Sequence, residues 1–96
     1  MIDLEEKYID FIKKTVSSVL ENYKLYIFGS RVKGRAKEYS DIDIAIDSEE
    51  LSSANKSKLE ALFENSTIPY EVDIVDLNNI TETFKNIIKN DLVELA

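Results

Sequence analysis

The amino-acid sequence predicts an α/β (α+β) fold in which helices cover a small mixed β-sheet. Residues 4–20 carry an apolar side chain at every fourth position, which is typical of an amphipathic helix. Three short segments rich in β-branched and aromatic residues, at 24–28, 41–47 and 70–77, are typical of strands. The order α-β-(α)-β-α-β-α therefore favours helices layered on one sheet, in a single domain over residues 1–96.

Composition narrows the chemistry open to the chain. The 96 residues have a formal net charge of −7 and include neither cysteine nor histidine. The usual zinc ligands and the usual general base are therefore missing, and any metal ion has to be held by oxygen, which favours Mg²⁺, Mn²⁺ or Ca²⁺. No apolar run reaches the roughly 18–20 residues of a membrane span, and the acidic N-terminus is unlike a signal peptide. We therefore expect a cytoplasmic protein without a membrane partner.

The basic residues cluster after the first predicted strand, as Arg31, Lys33, Arg35 and Lys37. A local basic loop on an acidic protein suits a small polyphosphate better than a long duplex, so nucleic acid is not expected as a direct partner. The alternative is that these charges merely solvate a loop.

The first helix is predicted to be capped by Asp3 and to end near Asn22. Residues 24–28 form a buried strand that Gly29 closes, and residues 30–34 start a short helix or turn. A polar connection follows at 37–40.

The second half of the chain alternates strands and helices. In residues 41–47, three isoleucines point one way and the acidic residues with Ala45 point the other. Ser52 or Ser53 caps a helix that runs to Glu64, with an apolar side of Leu59, Leu62 and Phe63. After a strand at 70–77, Thr81 caps a last helix with apolar positions Phe84, Ile87, Ile88 and Leu92. Residues 92–96 fit either an extension of that helix or a short strand.

The turn after the first strand is a candidate phosphate site. Gly29 tolerates backbone angles that other residues resist and lets a ligand approach the main chain. Ser30 adds a hydroxyl and an N–H, and a helix starting there would point N–H groups at an anion. The alternative is an ordinary turn, because Gly-Ser alone is a weak signal.

Asp41 and Asp43 are candidate metal ligands. Residues two apart on a strand share a face, with Cα atoms about 6.5–7 Å apart, so both carboxylates can converge on one or two cations. The alternative is the wet face of a half-exposed strand. Asp73, between two apolar residues of the third strand, joins them if its strand pairs with theirs; otherwise it faces solvent. Three such carboxylates are what two-metal phosphoryl or nucleotidyl transfer requires, and Asp73 could take the acceptor's proton.

These residues resemble a known signature. Gly29-Ser30, ten intervening residues and Asp41-Ile42-Asp43 are similar to the motif of the DNA polymerase β-like nucleotidyltransferase superfamily. The longer string Gly-Ser-Arg-x-x-Gly-x-x-x-x-x-Ser-Asp-x-Asp, from Gly29 to Asp43, looks like its minimal nucleotidyltransferase branch. The residues between the second glycine and the serine are more basic than is usual in that branch.

The resemblance implies a nucleotidyltransferase-like core and a set of site residues. Gly29 and Ser30 would hold the nucleotide phosphates, with Ser40 in the same nucleotide-binding set. Arg31 would lie beside the phosphates or structure the loop. The metal ligands, for two Mg²⁺ ions, and the catalytic residues would be Asp41, Asp43 and Asp73, the last also acting as the base.

The resemblance also implies a partner. Proteins of this branch are commonly antitoxins paired with an all-helical HEPN-domain ribonuclease toxin, and some transfer AMP from ATP to a tyrosine of that toxin. The leading expectation is therefore a protein adenylyltransferase in a hetero-oligomer with its toxin. The alternatives are a non-catalytic antitoxin that acts by occlusion, nucleotidyl transfer to RNA or a small molecule, and a nucleotide sensor. Tyr39 is either a stacking partner for the base or an ordinary loop residue.

Overall fold

A computed structural model describes residues 2–34 and 40–96 of the chain. These residues form four helices and four strands, in the order α1 (Glu6–Val19), β1 (Lys24–Phe28), α2 (Ser30–Lys33), β2 (Ile42–Asp47), α3 (Ser53–Glu64), β3 (Val72–Asp76), α4 (Glu82–Ile88) and β4 (Val93–Glu94). The strands make one sheet in the order β3-β2-β1-β4. In this sheet, β1 is antiparallel to β2 and β4, and β2 is parallel to β3. The predicted small mixed sheet with helices is confirmed.

Some predictions lie outside the described residues. They are the connection before Ser40, the contributions of Arg35 and Lys37 to the basic cluster, and the role of Tyr39.

The apolar stripe of α1 is confirmed, but both predicted ends of the helix are wrong. Ile12, Val16 and Leu20 are buried. The helix begins after Glu5, which makes no side-chain cap. Asp3 lies two residues before this position, too early to reach the first-turn N–H groups, and its own N–H donates to the Arg31 carbonyl at 2.7 Å. The helix ends at Val19 rather than near residue 22, since Leu20 turns to extended backbone as it enters the core.

The predicted caps of the later helices are confirmed. The Ser52 hydroxyl accepts from the Asn55 N–H, and the Thr81 hydroxyl accepts from the Phe84 N–H, each at 3.1 Å. The last segment of the chain takes the strand alternative as β4. It is fastened to β1 where the Leu25 N–H donates to the Ala96 carbonyl at 2.8 Å.

The sheet buries both of its faces to different extents. One face packs its main apolar cluster against α1 and α3, with the β2 isoleucines fully buried. The other face carries a smaller cluster of Phe28, Ala45, Leu77 and Ile88, which α4 covers.

Three predicted core positions are wrong. Leu62, Phe84 and Ile87 are 41%, 37% and 64% exposed. Each short helix turns only a narrow stripe toward the sheet, so Leu59 and Phe63 of α3 are buried and Leu62 is not. Ile88 of α4 is buried in the same way beside the exposed Ile87.

None of the helices in residues 2–34 and 40–96 combines the length and hydropathy that crossing a bilayer requires.

Glu50 joins the turn between α1 and β1 to the connection after β2. Its carboxylate accepts from the backbone N–H groups of Glu21 at 2.9 Å and Asn22 at 2.8 Å. The Ser48 hydroxyl donates to the Asn22 carbonyl at 2.6 Å, which closes the same junction. These backbone donors favour the charged carboxylate and lower the pKa of Glu50 from its usual 4.5.

Replacing Glu50 with glutamine should weaken the acid dependence of stability. A carboxyl whose pKa is lower in the folded chain stabilises it above the unfolded pKa, and that contribution is lost as the pH falls through the folded value. In urea unfolding between about pH 6 and pH 3, E50Q should lose less free energy than the wild type because the substituted side chain does not titrate. The neighbouring exposed E49Q is the matched control. If E50Q and the wild type lose the same free energy of unfolding over this pH range, the lowered pKa of Glu50 is contradicted.

Candidate active site

Asp43 lies at the centre of the sheet, between side chains of both neighbouring strands. It is opposite Phe28 in the antiparallel pair with β1 and opposite Asp73 in the parallel pair with β3. Residues directly opposite one another on adjacent strands point to the same face. The prediction that the strand of Asp73 pairs with that of Asp43 is therefore confirmed, and the two carboxyl groups share a face.

Gly29 lies directly against Asp43. Its backbone has φ +83° and ψ −151°, a region that is essentially restricted to glycine. A Cβ atom built at this position would lie 3.3 Å from Cγ of Asp43 and closer still to Oδ2. The predicted juxtaposition of the Gly-Ser turn and the strand acid is therefore confirmed for Asp43.

The predicted short helix after Gly29 is also present. The N–H groups of Val32 and Lys33 both donate to the Gly29 carbonyl, at 3.0 Å and 3.2 Å. These bonds tighten the turn, and the helix ends at Gly34 in the left-handed region with φ +72°. Ser30 is half-buried as the first residue of α2. Phosphate binding by Gly29 and Ser30 stays a prediction.

Arg31 is buried, with 5% of its surface exposed, and its guanidinium joins the backbone of the N-terminal segment to that of the residue before Asp41. Nη1 donates to the Asp3 carbonyl at 3.0 Å, and Nη2 donates to the Ser40 carbonyl at 2.7 Å. Its Cζ lies 4.3 Å from the ring centroid of Tyr70. Of the two roles left open for Arg31, these contacts favour the structural one.

Sequence reasoning missed Tyr70. It was read only as the start of a strand, which in fact begins at Val72. No local motif indicates that its ring meets Arg31, because the two residues are brought together only by the packing of β3 beside the loop.

The three acidic residues differ in burial, and their negative charges repel one another. Asp43 is half-buried, whereas Asp41 and Asp73 are exposed. Burial raises the pKa of the Asp43 carboxyl, and the negative charges of Asp73 and Asp41 raise it further. Within the described residues, the two salt bridges join Lys7 to Glu5 and Lys33 to Asp91, so neither neutralises this cluster.

The residues fit a divalent cation of the Mg²⁺ class. Their donors are all carboxylate oxygens, and a half-buried carboxylate beside two like charges is the group that a cation stabilises most. In the part of the chain described, no group of three acidic side chains lies close enough together to hold a metal ion. The convergence of Asp41 with Asp43 and Asp73 therefore stays a prediction.

A groove of about 660 Å³ borders one of the three acidic residues. It lies between α3 and the start of β3, and Asp73 is part of its lining. A second groove of about 600 Å³, around Glu50, lies at the other end of β2 and includes none of the three acids. Of these two grooves, only the first therefore includes a candidate site residue in its lining.

Comparison with known proteins identifies the family. Residues 6–94 match the family model described as polymerase beta, nucleotidyltransferase. The chain belongs to the polymerase β nucleotidyltransferase family. The resemblance that the sequence motif suggested is thus confirmed over nearly the whole chain.

A sequence relative of this nucleotidyltransferase is a probable protein adenylyltransferase. The chain is 37% identical over 89 residues to the probable protein adenylyltransferase MntA of Haemophilus influenzae, covering 92% of this chain and 78% of that one.

Solved structures share its fold. A toxin–antitoxin crystal structure with AMP-PNP has a TM-score of 0.79 at 24% identity, over 92% of this chain and 72% of that chain. The second is a structure of a tri-AMPylated Shewanella oneidensis HEPN toxin in complex with an MNT antitoxin. It matches with a TM-score of 0.74 at 22% identity, over 97% of this chain and 72% of the matched chain.

The two glycines of the nucleotidyltransferase motif should respond differently to alanine. G29A introduces both backbone strain and a clash with Asp43, so we expect it to lower the free energy of unfolding by about 2–4 kcal/mol. A Cβ atom at Gly34 would have no other atom within 4 Å. G34A therefore only places alanine in the left-handed region, which should lower the free energy of unfolding by about 1–2 kcal/mol. Urea unfolding of both variants checks this difference. Equal losses would mean that the close approach to Asp43 is not a constraint.

Proposed function

We propose that this chain is the antitoxin of a toxin–antitoxin pair and transfers AMP from ATP to a tyrosine hydroxyl of a HEPN-type toxin. The observation that carries the proposal is the contact of Gly29 with Asp43, which itself lies opposite Asp73. This geometry brings a candidate phosphate turn against acidic residues that fit a divalent cation. Family membership and the 37% identity to a probable protein adenylyltransferase support the reaction type.

In this proposal, Gly29 and Ser30 hold the triphosphate, and Ser40 belongs to the same nucleotide-binding set. Asp41, Asp43 and Asp73 hold Mg²⁺, which supplies neutralisation of phosphate charge and activation of the attacking hydroxyl. The exclusion of a side chain at position 29 keeps the main chain open to the phosphates directly beside Asp43.

The reaction is a single displacement at the α-phosphorus. The tyrosine oxygen of the toxin forms a bond to that phosphorus, and the bond between the α-phosphorus and the oxygen bridging to the β-phosphorus breaks. Pyrophosphate leaves, and the hydroxyl proton passes to the carboxylate of Asp73. Asp73 suits this role because it is exposed and lines the groove beside β3, where an acceptor can approach. ATP is a cytoplasmic substrate, and we propose that compartment for the reaction.

Intact-mass measurement of a HEPN toxin incubated with the chain, ATP and Mg²⁺ tests the reaction. The wild type should add the mass of AMP to the toxin. D43N should slow the addition about 100-fold or more, because even changes next to metal ligands cost about 10–100-fold. D47N lies on the same strand, is exposed and makes the same change in charge, so it should retain activity. An unmodified toxin in the wild-type reaction would refute AMP transfer.

Growth of cells that co-express the toxin separates transfer from occlusion. If AMP transfer neutralises the toxin, D43N and a toxin with phenylalanine at the acceptor tyrosine should each abolish protection, while D47N protects. If D43N binds the toxin and still protects the cells, the chain acts by occlusion and the proposed mechanism is wrong. Co-purification of D43N with the toxin is the control for a folded, binding-competent variant.

A further inference from the structure

We infer that Arg31 is a positioning residue: it holds Asp41 in place for cation binding through the carbonyl of Ser40 and makes no contact with the nucleotide. The inference rests on the metal site of the proposed function and assigns one residue's part in it.

The first step is the position of Asp41 in the chain. It comes directly before β2, whose first residue, Ile42, is fixed by donating its N–H to the Glu71 carbonyl at 2.8 Å. On its other side, Asp41 follows Ser40, whose carbonyl accepts from Nη2 of Arg31 at 2.7 Å. The backbone of Asp41 is therefore held between β2 and the buried guanidinium, although its own side chain is exposed.

The second step is the stack of Arg31 on Tyr70. The guanidinium carbon is 4.3 Å from the ring centroid, and Tyr8 of α1 meets the same ring edge-on at 5.5 Å. Tyr70 precedes Glu71, the residue that anchors Ile42. Arg31 thus contacts the segment that leads into β2 and the segment that leads into β3. Asp41 lies just before β2, and Asp43 and Asp73 lie within the two strands.

The third step is that both Nη atoms of the guanidinium are already bonded to backbone carbonyls, while its Nε is buried without a hydrogen-bond partner among the described residues. The N-terminal segment and Arg31 are joined in both directions, by Asp3 N–H to the Arg31 carbonyl and by Nη1 to the Asp3 carbonyl. With 5% of the residue exposed, Arg31 would have to leave two carbonyls and an aromatic ring to reach a phosphate. Lysine cannot replace it, because an ammonium lacks the planar fork that stacks on a ring and bonds two separate carbonyls.

The test compares R31K with K33R, the reverse exchange on the same short helix. Mn²⁺ affinity in the presence of ATP is measured from the electron paramagnetic resonance signal of free Mn²⁺, and ATP affinity is measured separately without metal. R31K should bind Mn²⁺ about 10-fold more weakly, the usual effect of losing a group that orients a ligand. Its metal-free ATP affinity should match the wild type, and K33R should be unchanged in both.

A double-mutant cycle identifies Asp41 as the residue through which Arg31 acts. In a D41N background, R31K should weaken Mn²⁺ binding no further. Additive losses would overturn the inference, as would wild-type Mn²⁺ affinity in R31K. A lower ATP affinity of R31K without metal would also overturn it, because Arg31 would then contact the nucleotide.

If thermal unfolding shows that R31K is not folded, variants of Tyr70 provide a second test of the inference. Y70L should weaken Mn²⁺ binding, whereas Y70F keeps the ring and should bind as the wild type does. Equal Mn²⁺ affinities of Y70L and Y70F would then overturn the inference. A wild-type chain that binds Mn²⁺ but transfers no AMP would refute the proposed function alone, whereas one that binds no Mn²⁺ would overturn the inference.

Discussion

Strand β2 is anchored by Ile42, Ile44 and Ile46, which are completely buried, and this anchoring determines where Asp43 points. Side chains alternate along a strand, so a shift of one residue would expose the isoleucines and turn the acids into the core. The strand is paired on both sides, and burial of the isoleucines favours the observed register over a one-residue shift. The orientation of Asp43 toward Gly29 is therefore set by apolar packing on the opposite face of the sheet.

That anchoring is strong enough to hold like charges together. Burying three isoleucines contributes about 5–9 kcal/mol at roughly 1.5–3 kcal/mol each. Two carboxylates about 5 Å apart repel by only about 3 kcal/mol at an effective dielectric near 20. The fold can thus keep Asp43 opposite Asp73, and the pKa of Asp43 is raised first by burial and then by the charges of Asp73 and Asp41. A cation that binds here offsets this repulsion, so the chain's stability and its affinity for metal are linked through the same pair.

The sequence predicted what depends on local pattern. The strand alternation, the Ser52 and Thr81 caps and the Gly29 turn were readable because each is determined by neighbouring residues. The wrong predictions concern features that depend on tertiary contacts rather than on neighbouring residues. Asp3 does not cap α1, which begins two residues later than such a cap requires, and its backbone is bonded to Arg31, a residue distant in sequence. The exposure of Ile87 depends on how α4 seats on the sheet, which no periodicity specifies. The pairing of Asp73 with Asp43 was conditional until the parallel register was known.

The contacts of the described basic residues bear on why the proposed reaction would require a metal cation. In a chain of net charge −7, an incoming triphosphate brings more negative charge to a site already lined with carboxylates. Of the cations described beside the turn, Arg31 is bound to backbone carbonyls and Lys33 is paired with Asp91 at 2.9 Å. Both of these side chains thus make structural contacts: Arg31 joins Asp3 to Ser40, and Lys33 joins α2 to the turn at Asp91. In the proposed reaction, neutralisation of the phosphates would then fall largely to metal ions held by the acidic residues.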